Sequence, residues 1–455
     1  MSTKHSIAAA RFIADREHEK WHDESLWMVR VKRDKMSRMF PEWERLRQMA
    51  NDIKMYSNSH LDTLLQEFEK NATANGAIVH WAKDAEEFNQ TVYAILQDHG
   101  AKNMIKSKSM LAEECHMNNF LISKGMDIVE SDLGERILQL MHLAPSHIVL
   151  PAIHIKREQV GEMMEKEMGT EKGNSDPTYL THEVRKNMRE KFLHADASMT
   201  GVNFAVASTG EIVVCTNEGN ADMGTSFPHL HIAVMGMEKI VPDLESLGVF
   251  TRLLARSGTG QPITSYTSHY RKPQNGGEFH IVIVDNGRSQ ILADQEHLLT
   301  LNCIRCGECM NTCPVYRRSG GYSYTYFIPG PIGINLGMLR DPVRYSDNVS
   351  ACSLCLSCSN VCPVKIDLGE QIYRWRQRLD SFHVASAQKK VMSEGMKYLM
   401  ERPRLFNMAL KFAPLANKMP RFMVYNGLNE WGEGRELPAF AGKSFNEMWK
   451  NNEIK

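Results

Sequence analysis

The sequence contains one cysteine pattern twice, as Cys303-Ile304-Arg305-Cys306-Gly307-Glu308-Cys309-Met310-Asn311-Thr312-Cys313-Pro314 and as Cys352-Ser353-Leu354-Cys355-Leu356-Ser357-Cys358-Ser359-Asn360-Val361-Cys362-Pro363. Each cysteine of the second copy follows its counterpart by 49 positions, since 352−303, 355−306, 358−309 and 362−313 all equal 49. The spacing C-x2-C-x2-C-x3-C-P is typical of [4Fe–4S] ligation, because three thiolates two residues apart can surround one face of a cubane. The repeat therefore predicts two [4Fe–4S] clusters.

The fourth cysteine of each copy lies beyond the three closely spaced ones, and the proline after it directs the chain away. In two-cluster ferredoxins this fourth cysteine ligates the other cluster. The same rule predicts a first cluster on Cys303, Cys306, Cys309 and Cys362, and a second cluster on Cys352, Cys355, Cys358 and Cys313. Crossed ligation would make the two copies one folding unit with adjacent clusters, which suits electron relay.

Two other uses of cysteine explain the pattern less well. Structural zinc sites are tetrahedral and are usually built from separated C-x2-C pairs, so they do not need the third closely spaced cysteine. Disulfides would require an oxidising compartment. Cys115 and Cys215 lie outside the repeat, and we expect both to be buried apolar residues.

The composition is that of a soluble globular protein with two or three domains. The 455 residues are 24% charged and 42% hydrophobic, and the formal net charge of zero gives no indication of a nucleic-acid partner. The N-terminus lacks the apolar core of a secretory signal, and no apolar run approaches the ~20 residues that a membrane span needs. We therefore expect a cytoplasmic protein, in which reducing conditions preserve thiolate clusters.

The pattern along the chain predicts four regions: a helical N-terminal arm over 1–70, an α/β domain over 71–295, a double [4Fe–4S] domain over 296–380 and a C-terminal region over 381–455. In the arm, Leu61, Leu64, Leu65 and Phe68 have the spacing of an amphipathic helix. This arm could pack on a neighbouring domain or subunit, or could form a simple N-terminal cap.

The α/β domain is predicted from short apolar strands that alternate with helical stretches. Examples are a strand over 77–81, a helix over 112–124 and a strand over 146–153. Such alternation favours a largely parallel sheet.

The segment Ala195–Asn220 is rich in glycine and β-branched residues. It predicts two strands, 204–207 and 212–215, joined as a hairpin. Polar loops at strand ends of α/β folds often bind ligands, so the candidate ligand-binding residues are Thr209, Gly210, Glu218, Gly219 and Asn220. The alternative is a turn-rich hairpin with a purely structural role. No dinucleotide-binding or phosphate-binding glycine motif is present in the sequence.

Two further patterns allow more than one interpretation. His229 and His231 would share one face of a strand, and we expect structural histidines here because no third metal ligand is evident nearby. The segment 389–421 has eight basic and two acidic residues among apolar ones. Such a segment can contact a membrane surface peripherally or dock a partner, although it is more often a solvated face over a local core.

The sequence resembles the family of lactate-utilisation B proteins, iron–sulfur subunits of a three-protein bacterial L-lactate oxidation system. The resemblance runs nearly end to end and includes ADREHEKWHDESLW (14–27), VHWAKDAEEFN (79–89), KSKSM (106–110), ESDLGERILQL (130–140), PSHIVLPAIH (145–154), TGVNFAVASTGEIVVCTNEGN (200–220) and both cysteine copies. It implies an α/β LUD domain, similar to the sheets of ribose-phosphate isomerases and CoA-transferases, then an α-helical two-cluster ferredoxin-type domain and a mostly helical C-terminal extension.

The resemblance also implies a function. The protein would be the electron-transfer subunit of an oxidoreductase complex that converts L-lactate to pyruvate, with two partner subunits, one iron–sulfur and one with a LUD domain. The electron acceptor stays open between a quinone, a cytochrome and a soluble flavoprotein. Because CoA-transferases use a glutamate nucleophile, Glu218 is a catalytic candidate, but we expect a loop or ligand-binding role first. Another 2-hydroxy acid such as glycolate, or a cluster-based redox sensor, are the alternatives.

Overall fold

The computed structural model describes residues 4–274, 276–384, 387–424 and 439–454. The chain divides into two units, Met1–Arg378 and Leu379–Lys455. The first unit contains the α/β region and both cysteine copies, and the second contains the C-terminal helices.

Four helices form the N-terminal arm: α1 (His5–Ala14), α2 (Arg16–Arg38), α3 (Trp43–Ser59) and α4 (Leu61–Ala74). The predicted amphipathic face of α4 is confirmed, because its apolar residues are buried in a core shared with Phe279 and Ile281. Helix α3 instead reaches the second cysteine copy, where the Arg47 guanidinium donates a hydrogen bond to the Cys362 carbonyl at 2.9 Å. The arm therefore packs on neighbouring regions of its own chain.

Within the described residues, ten strands are numbered in chain order. They are β1 (Ile78–Ala82), β2 (Asn103–Lys106), β3 (Asp127–Glu130), β4 (Ala197–Gly201), β5 (Phe204–Val206), β6 (Glu211–Thr216), β7 (Leu230–Gly236), β8 (Ile240–Val241), β9 (Tyr266–Tyr270) and β10 (Glu278–Val284).

Six of these strands form a parallel sheet in the order β1-β10-β7-β4-β2-β3. Its central strands are buried on both faces rather than alternating between buried and exposed positions. All seven residues of β7 are buried, as are Phe279 to Val284 of β10. Parallel sheets are typically covered on both faces, which withdraws both sides of a central strand from solvent. The parallel α/β sheet that the sequence predicted is confirmed.

A second, four-stranded sheet has the order β8-β5-β6-β9. Its strands β5 and β6 pair antiparallel, which confirms the predicted hairpin. The turn between them ends at Gly210, which has a φ of +68°. A Cβ atom at this glycine would lie 2.2 Å from the Ala72 backbone nitrogen, so α4 packs directly against the turn.

Among the described residues of this region, nine helices accompany the strands: α5 (Ala85–Asp98), α6 (Met110–Glu114), α7 (Met117–Ser123), α8 (Leu133–Leu140), α9 (Arg157–Met168), α10 (Pro177–Leu193), α11 (Asn220–Ser226), α12 (Leu244–Gly258) and α13 (Arg288–Ala293). Aspartates begin four of them, because a side-chain oxygen of Asp84, Asp132, Asp176 or Asp243 accepts a hydrogen bond from a first-turn backbone N–H. The single helix predicted over 112–124 is wrong. It is interrupted at His116, whose φ of +51° is left-handed.

The strand predicted over 146–153 is also wrong. This segment forms turns, because its backbone groups bond to each other rather than to a neighbouring strand. The Ser146 N–H donates to the Pro151 carbonyl at 3.1 Å, and the Ile153 N–H donates to the Leu150 carbonyl at 3.0 Å. The His147 Nδ1 accepts hydrogen bonds from two further N–H groups within the turn.

Short helices surround the two cysteine copies: α14 (Glu308–Thr312), α15 (Pro314–Ser319), α16 (Gly330–Arg340), α17 (Pro342–Ala351), α18 (Ser357–Val361) and α19 (Leu368–Arg378). This part of the chain is helical, as predicted. Helices α16 and α19 pack against each other through buried residues such as Ile332, Ile372 and Trp375.

The described residues of the second unit form helices α20 (Ala387–Met400), α21 (Pro403–Phe412), α22 (Arg421–Val424) and α23 (Phe445–Lys450). The mostly helical C-terminal extension is confirmed for these residues. No described helix is long and apolar enough to cross a membrane.

Candidate functional site

The two cysteine loops follow the same backbone path. Left-handed φ angles occur at Arg305 (61°) and Gly307 (79°), and again 49 positions later at Leu354 (53°) and Leu356 (61°). A non-glycine residue adopts such angles only where its surroundings enforce them. The bend turns backbone N–H groups toward sulfur, since Arg305 N lies 3.4 Å from Cys303 Sγ and Leu354 N lies 3.3 Å from its own upstream cysteine.

The folded chain brings the cysteines together in two crossed groups. Burial, followed by the charges of Cys362 and Cys303, raises the pKa of the Cys306 thiol. Burial also raises the pKa of Cys313 to about 11, with contributions from Cys352 and Cys355 of the other copy. We call these the first cysteine group (Cys303, Cys306, Cys309, Cys362) and the second cysteine group (Cys352, Cys355, Cys358, Cys313). Four thiols in each group are the donor set that a [4Fe–4S] cluster requires, so the residues fit two clusters.

The fourth cysteine of each copy also accepts backbone hydrogen bonds. The Tyr316 N–H lies 3.5 Å from Cys313 Sγ, and the Ile366 N–H lies 3.3 Å from Cys362 Sγ. Hydrogen bonds to ligand sulfurs stabilise negative charge on a cluster and influence its reduction potential.

The two groups differ in their access to solvent. Cys306 and Cys362 of the first group are buried at 9% and 7% exposure, whereas Cys355 of the second group is exposed. The first group lies against the α/β region: the Asn311 amide donates to the Gly258 carbonyl at 3.1 Å. A Cβ atom at Gly258 would lie 2.8 Å from the Cys306 carbonyl oxygen. Of the eight repeated cysteines, Cys355 is the one that is exposed.

Arginines of the N-terminal arm hold the backbone around the cysteines. Arg47 donates to the carbonyls of Cys362 and Asn360 at 2.9 and 2.8 Å, and Arg33 donates to the Val361 carbonyl at 3.0 Å. The fully buried Glu308 carboxylate lies 3.7 Å from the Arg33 guanidinium. These buried arginines therefore hold both cysteine loops against the N-terminal arm.

A pocket of about 300 Å³ joins the first cysteine group to the α/β region. Arg305 and Cys306 line one part of its wall, and Gly201 and Gly236, at the carboxyl ends of β4 and β7, line another. Ligands of parallel α/β sheets bind at this edge of the strands. Apolar residues complete the lining, among them Ile148, Val149, Leu150, Val202, Leu254 and Ala255.

Several charged groups of the pocket are already paired. Arg288 donates to Glu114 Oε2 at 2.9 Å and to Glu238 Oε2 at 2.5 Å. The buried Lys54 ammonium, which lies outside the pocket lining, donates to the Glu238 carbonyl. These contacts pair Arg288 with two carboxylates and engage Oε2 of Glu238, while the Lys54 contact is to the Glu238 backbone.

Two cations of the pocket are not satisfied in this way. Arg305 Nη2 is 3.9 Å from Glu238 Oε1, while its Nη1 is buried without a hydrogen-bond partner among the described residues. The half-buried Lys239 ammonium makes neither a hydrogen bond nor an ion pair with any residue that the structure describes. Loss of hydration lowers the pKa of Lys239 to about 8, which leaves the side chain mainly protonated at neutral pH. The pocket therefore presents two cationic groups with unused hydrogen-bonding capacity.

Comparison with known proteins gives two domain matches, a LUD domain over residues 65–291 and a 4Fe-4S dicluster domain over residues 300–366. "Lactate utilization protein B" of Bacillus pumilus is 41% identical over 427 residues, which cover 90% of this chain and 89% of that protein. "Lactate utilization protein B 1" of Bacillus mycoides is 39% identical and covers 93% and 91%. This chain belongs to the lactate utilization protein B family. The "uncharacterized electron transport protein YkgF" of Escherichia coli is 38% identical over 93% of this chain and 92% of that protein.

The dicluster domain places this lactate utilization protein B family member among proteins with two [4Fe–4S] clusters. The cofactors predicted from the cysteine repeat are thereby confirmed. The match covers all eight repeated cysteines, from Cys303 to Cys362.

The structure separates the predicted ligand-loop residues of this family member. Glu218 and Asn220 line the pocket, and the Asn220 amide donates to Ser131 Oγ at 3.1 Å. Thr209 and Gly210 lie at the opposite end of β6, in the turn against α4, where the Thr209 carbonyl accepts a hydrogen bond from Asn75. Gly219 lies beside the Tyr266 ring and outside the pocket lining. Two of the five residues are thus brought to the pocket.

Glu218 is exposed at the pocket edge, and its Oε2 accepts a hydrogen bond from the Leu133 N–H at 3.1 Å. Partial loss of hydration, followed by the negative charge of Asp132, raises its pKa to about 7. A carboxyl group that titrates near neutrality can accept or donate a proton, but a catalytic role for Glu218 stays a prediction.

The remaining candidates agree with the predictions only in part, because His229 lies outside β7 and does not share a strand face with His231. His231 is buried between strands, accepts or donates a hydrogen bond with Thr200 Oγ1 at 2.8 Å, and has a pKa lowered to about 3 by burial. His229 is exposed just before β7. Cys115 is buried as predicted, whereas Cys215 is half-buried and lines the pocket.

Sequence reasoning missed Lys239 and the role of Arg305 in the pocket. Lys239 lies 66 positions before Arg305, and only the fold brings them together. One signal was present in the sequence, because Arg305 stands between Cys303 and Cys306 and had to lie close to any bound cluster.

Proposed function

We propose that this protein is the iron–sulfur electron-transfer subunit of a multi-subunit L-lactate dehydrogenase complex that oxidises L-lactate to pyruvate and so allows growth on lactate. The observation that carries the proposal is the pair of crossed cysteine groups in a chain about 40% identical to lactate utilization B proteins over most of its length. When bound, the two clusters supply one-electron transfer. Two other subunits, one iron–sulfur and one with a LUD domain, would complete the complex.

The crossed ligation is part of the proposal. Cys362 would complete the first cysteine group and Cys313 the second, which is supported by the charges that act on the two thiols. The exposed Cys355 marks the face where an electron-transfer partner would dock. Leu356 next to it is 49% exposed and offers an apolar contact at the same place.

The experiment for the function is anaerobic EPR spectroscopy of the cluster-loaded chain mixed with the two partner subunits. L-lactate should reduce the clusters, whereas D-lactate and glycolate should not, and Cys306→Ser should remove the signal of the first group. If glycolate is the better reductant, the substrate assignment is wrong. If dithionite reduces the clusters and no 2-hydroxy acid does, the electron-transfer role is wrong and a sensor role is favoured.

Crossed ligation has its own test in the same spectra. Cys313→Ser should perturb the centre that Cys355→Ser perturbs, and Cys362→Ser should perturb the centre that Cys306→Ser perturbs. Cys215→Ser is the matched control, because this thiol lies outside both groups, and it should leave iron content and the dithionite-reduced spectra unchanged. A Cys313→Ser spectrum that matches Cys306→Ser would show that each copy ligates its own cluster.

We place the complex in the cytoplasm, with peripheral membrane contact through 389–421 as part of this proposal. The described residues there expose large apolar side chains, including Met396 (53%), Met400 (60%) and Phe412 (61%), and carry basic residues such as Lys397 and Lys411. Exposed apolar and basic side chains together suit an anionic bilayer surface. Co-sedimentation with anionic vesicles and not with neutral ones would support this contact, and equal sedimentation with both or neither would refute it. The acceptor, a quinone, a cytochrome or a soluble flavoprotein, is left open.

A further inference from the structure

The pocket beside the first cysteine group has equal numbers of basic and acidic lining residues, but they are divided between two parts. Lys108, Asp132 and Glu218 lie in one part. In the other part the basic side chains of Arg288, Lys239 and Arg305 meet the carboxylates of Glu114 and Glu238, and the charge of Cys303 also acts on Lys239 and Arg305. The two carboxylates are engaged mainly by Arg288, so an incoming anion would meet Lys239 and Arg305.

Geometry also favours an anion at this position. Arg305 Nη1 is buried without a hydrogen-bond partner among the described residues, and leaving a charged donor unsatisfied is costly. A carboxylate can accept two parallel hydrogen bonds from a guanidinium, which makes arginine well suited to this group. The Lys239 ammonium adds three donors that no described residue uses.

The rest of the pocket suits a small organic acid better than a bare inorganic ion. Apolar side chains of Val149, Leu150 and Leu254 form part of the wall and can contact a short carbon chain. The volume of about 300 Å³ exceeds that of a three-carbon acid, so acids with one or two more carbons should also enter. Selectivity would then come from the charged groups more than from size.

We propose that this pocket is the binding site of the 2-hydroxy acid and its 2-oxo product, with the carboxylate held by Arg305 and Lys239 beside the first cysteine group. The inference rests on the proposed function and names the site at which its substrate binds. It assigns binding to this chain, and it assigns no bond-breaking step to these two residues. Glu218 lies in the other polar part of the pocket, near Lys108 and Asp132, and does not contact the carboxylate of the bound acid in this proposal.

The test is equilibrium binding of L-lactate and pyruvate to the full-length, cluster-loaded chain, measured anaerobically with isotope-labelled ligands and without electron transfer. Lys239→Gln should weaken binding by about 10-fold or more, since it removes a charged hydrogen-bond donor. Lys239 has no protein partner among the described residues, so this change should leave folding and iron content intact. Arg305→Lys is the second variant and should weaken binding similarly while keeping the charge.

Lys108→Gln is the matched control, because Lys108 lines the same pocket but is used by the Val149 carbonyl and Glu135. Lys108→Gln should change the affinity for L-lactate and pyruvate by less than about threefold, because the loss of a solvent-screened charge has a small effect. Glu218→Gln should also have little effect on carboxylate affinity. If either control weakens binding as much as Lys239→Gln, the carboxylate is held at the other part of the pocket and the inference is wrong.

A second measurement tests whether the acid binds next to the first cluster. In the dithionite-reduced chain, pyruvate should alter the EPR signal of the first group and leave that of the second unchanged. No binding, binding that is unaffected by Lys239→Gln, or equal affinity for inorganic phosphate would overturn the inference. If L-lactate still reduces the clusters of the complex in that case, the proposed function stands and the acid binds in a partner. If the acid binds here and never reduces the clusters, the site stands and the proposed function fails.

Discussion

Replacing Lys106 by methionine should destabilise the protein severely. Lys106 ends β2, and its side chain is fully buried. Its ammonium lies 2.5 Å from Glu130 Oε1 and 3.3 Å from Glu113 Oε1. Burial disfavours the charged ammonium, but the Glu130 and Glu113 carboxylates outweigh this effect and raise the pKa of Lys106. Methionine would leave the Glu130 carboxyl group buried without its cationic partner.

The magnitude follows from the burial of both partners. Glu130 is 2% exposed, and its remaining described side-chain contact is a hydrogen bond from Asn118 at 2.6 Å. Removing one member of a buried ion pair typically costs about 3–5 kcal/mol, because the other charge stays desolvated. For a unit of this size each kcal/mol lowers the melting temperature by roughly 2 °C, so we expect a loss of about 6–10 °C. The double variant Lys106→Met/Glu130→Leu should recover most of this loss.

Thermal unfolding of the cluster-loaded chain, followed anaerobically by circular dichroism at one scan rate, measures these differences. Lys186→Met is the control, because Lys186 forms an ion pair with Glu183 at the same 2.5 Å but is 73% exposed. This exposed pair should contribute less than about 1 kcal/mol. A Lys106→Met variant that melts within about 2 °C of the parent, or a double variant no better than the single one, would refute the reasoning.

Two further predictions concern the α/β region. Gly210→Ala should lower the free energy of unfolding by about 2–4 kcal/mol, because its φ is +68° and the new Cβ atom would lie 2.2 Å from the Ala72 nitrogen. Gly100→Ala is the control, because its φ of +62° is similar but no atom lies within 4 Å, and it should cost only about 1 kcal/mol. The melting temperatures of the two variants measure the difference. Burial lowers the pKa of His231 to about 3, below its unfolded value of about 6.5, so stability should fall by up to about 1.4 kcal/mol for each pH unit below 6.5. His231→Phe should remove that part of the pH dependence, and an unchanged slope between pH 7 and about 5.5 would contradict the assignment.

Local sequence patterns were sufficient to predict the elements whose contacts are made between residues close together in the sequence. The cysteine copies are recognisable because their spacing is set by cluster chemistry, and the β5–β6 hairpin is recognisable because its turn and both strands are contiguous. The amphipathic face of α4 was predictable for the same reason. In each case the information lies within about 20 residues.

Failures occurred where distant contacts decide the structure. The segment 146–153 is apolar enough for a strand, but Pro145 and Pro151 limit ladder hydrogen bonding and the turn packs on the first cysteine group through the His147–Asn311 hydrogen bond of 3.1 Å. His116 has a left-handed conformation that divides the predicted helix 112–124. No proline or glycine in this segment indicates a break in the helix. The pocket cations come from a strand end and a cysteine loop, so only the tertiary fold shows that they are neighbours.

The hold of the N-terminal arm on the cysteine loops has a consequence for synthesis. Arg47 leaves the ribosome 315 residues before Cys362, whose carbonyl it binds. At about 5–20 residues per second, translation separates the two by roughly 15–60 s. During that interval the arginines of α2 and α3 lack the loop carbonyls that they bind in the folded protein. Lys54 likewise lacks the Glu238 carbonyl until that residue has been synthesised. The first-made helices can therefore complete these contacts only after the cysteine loops have been synthesised.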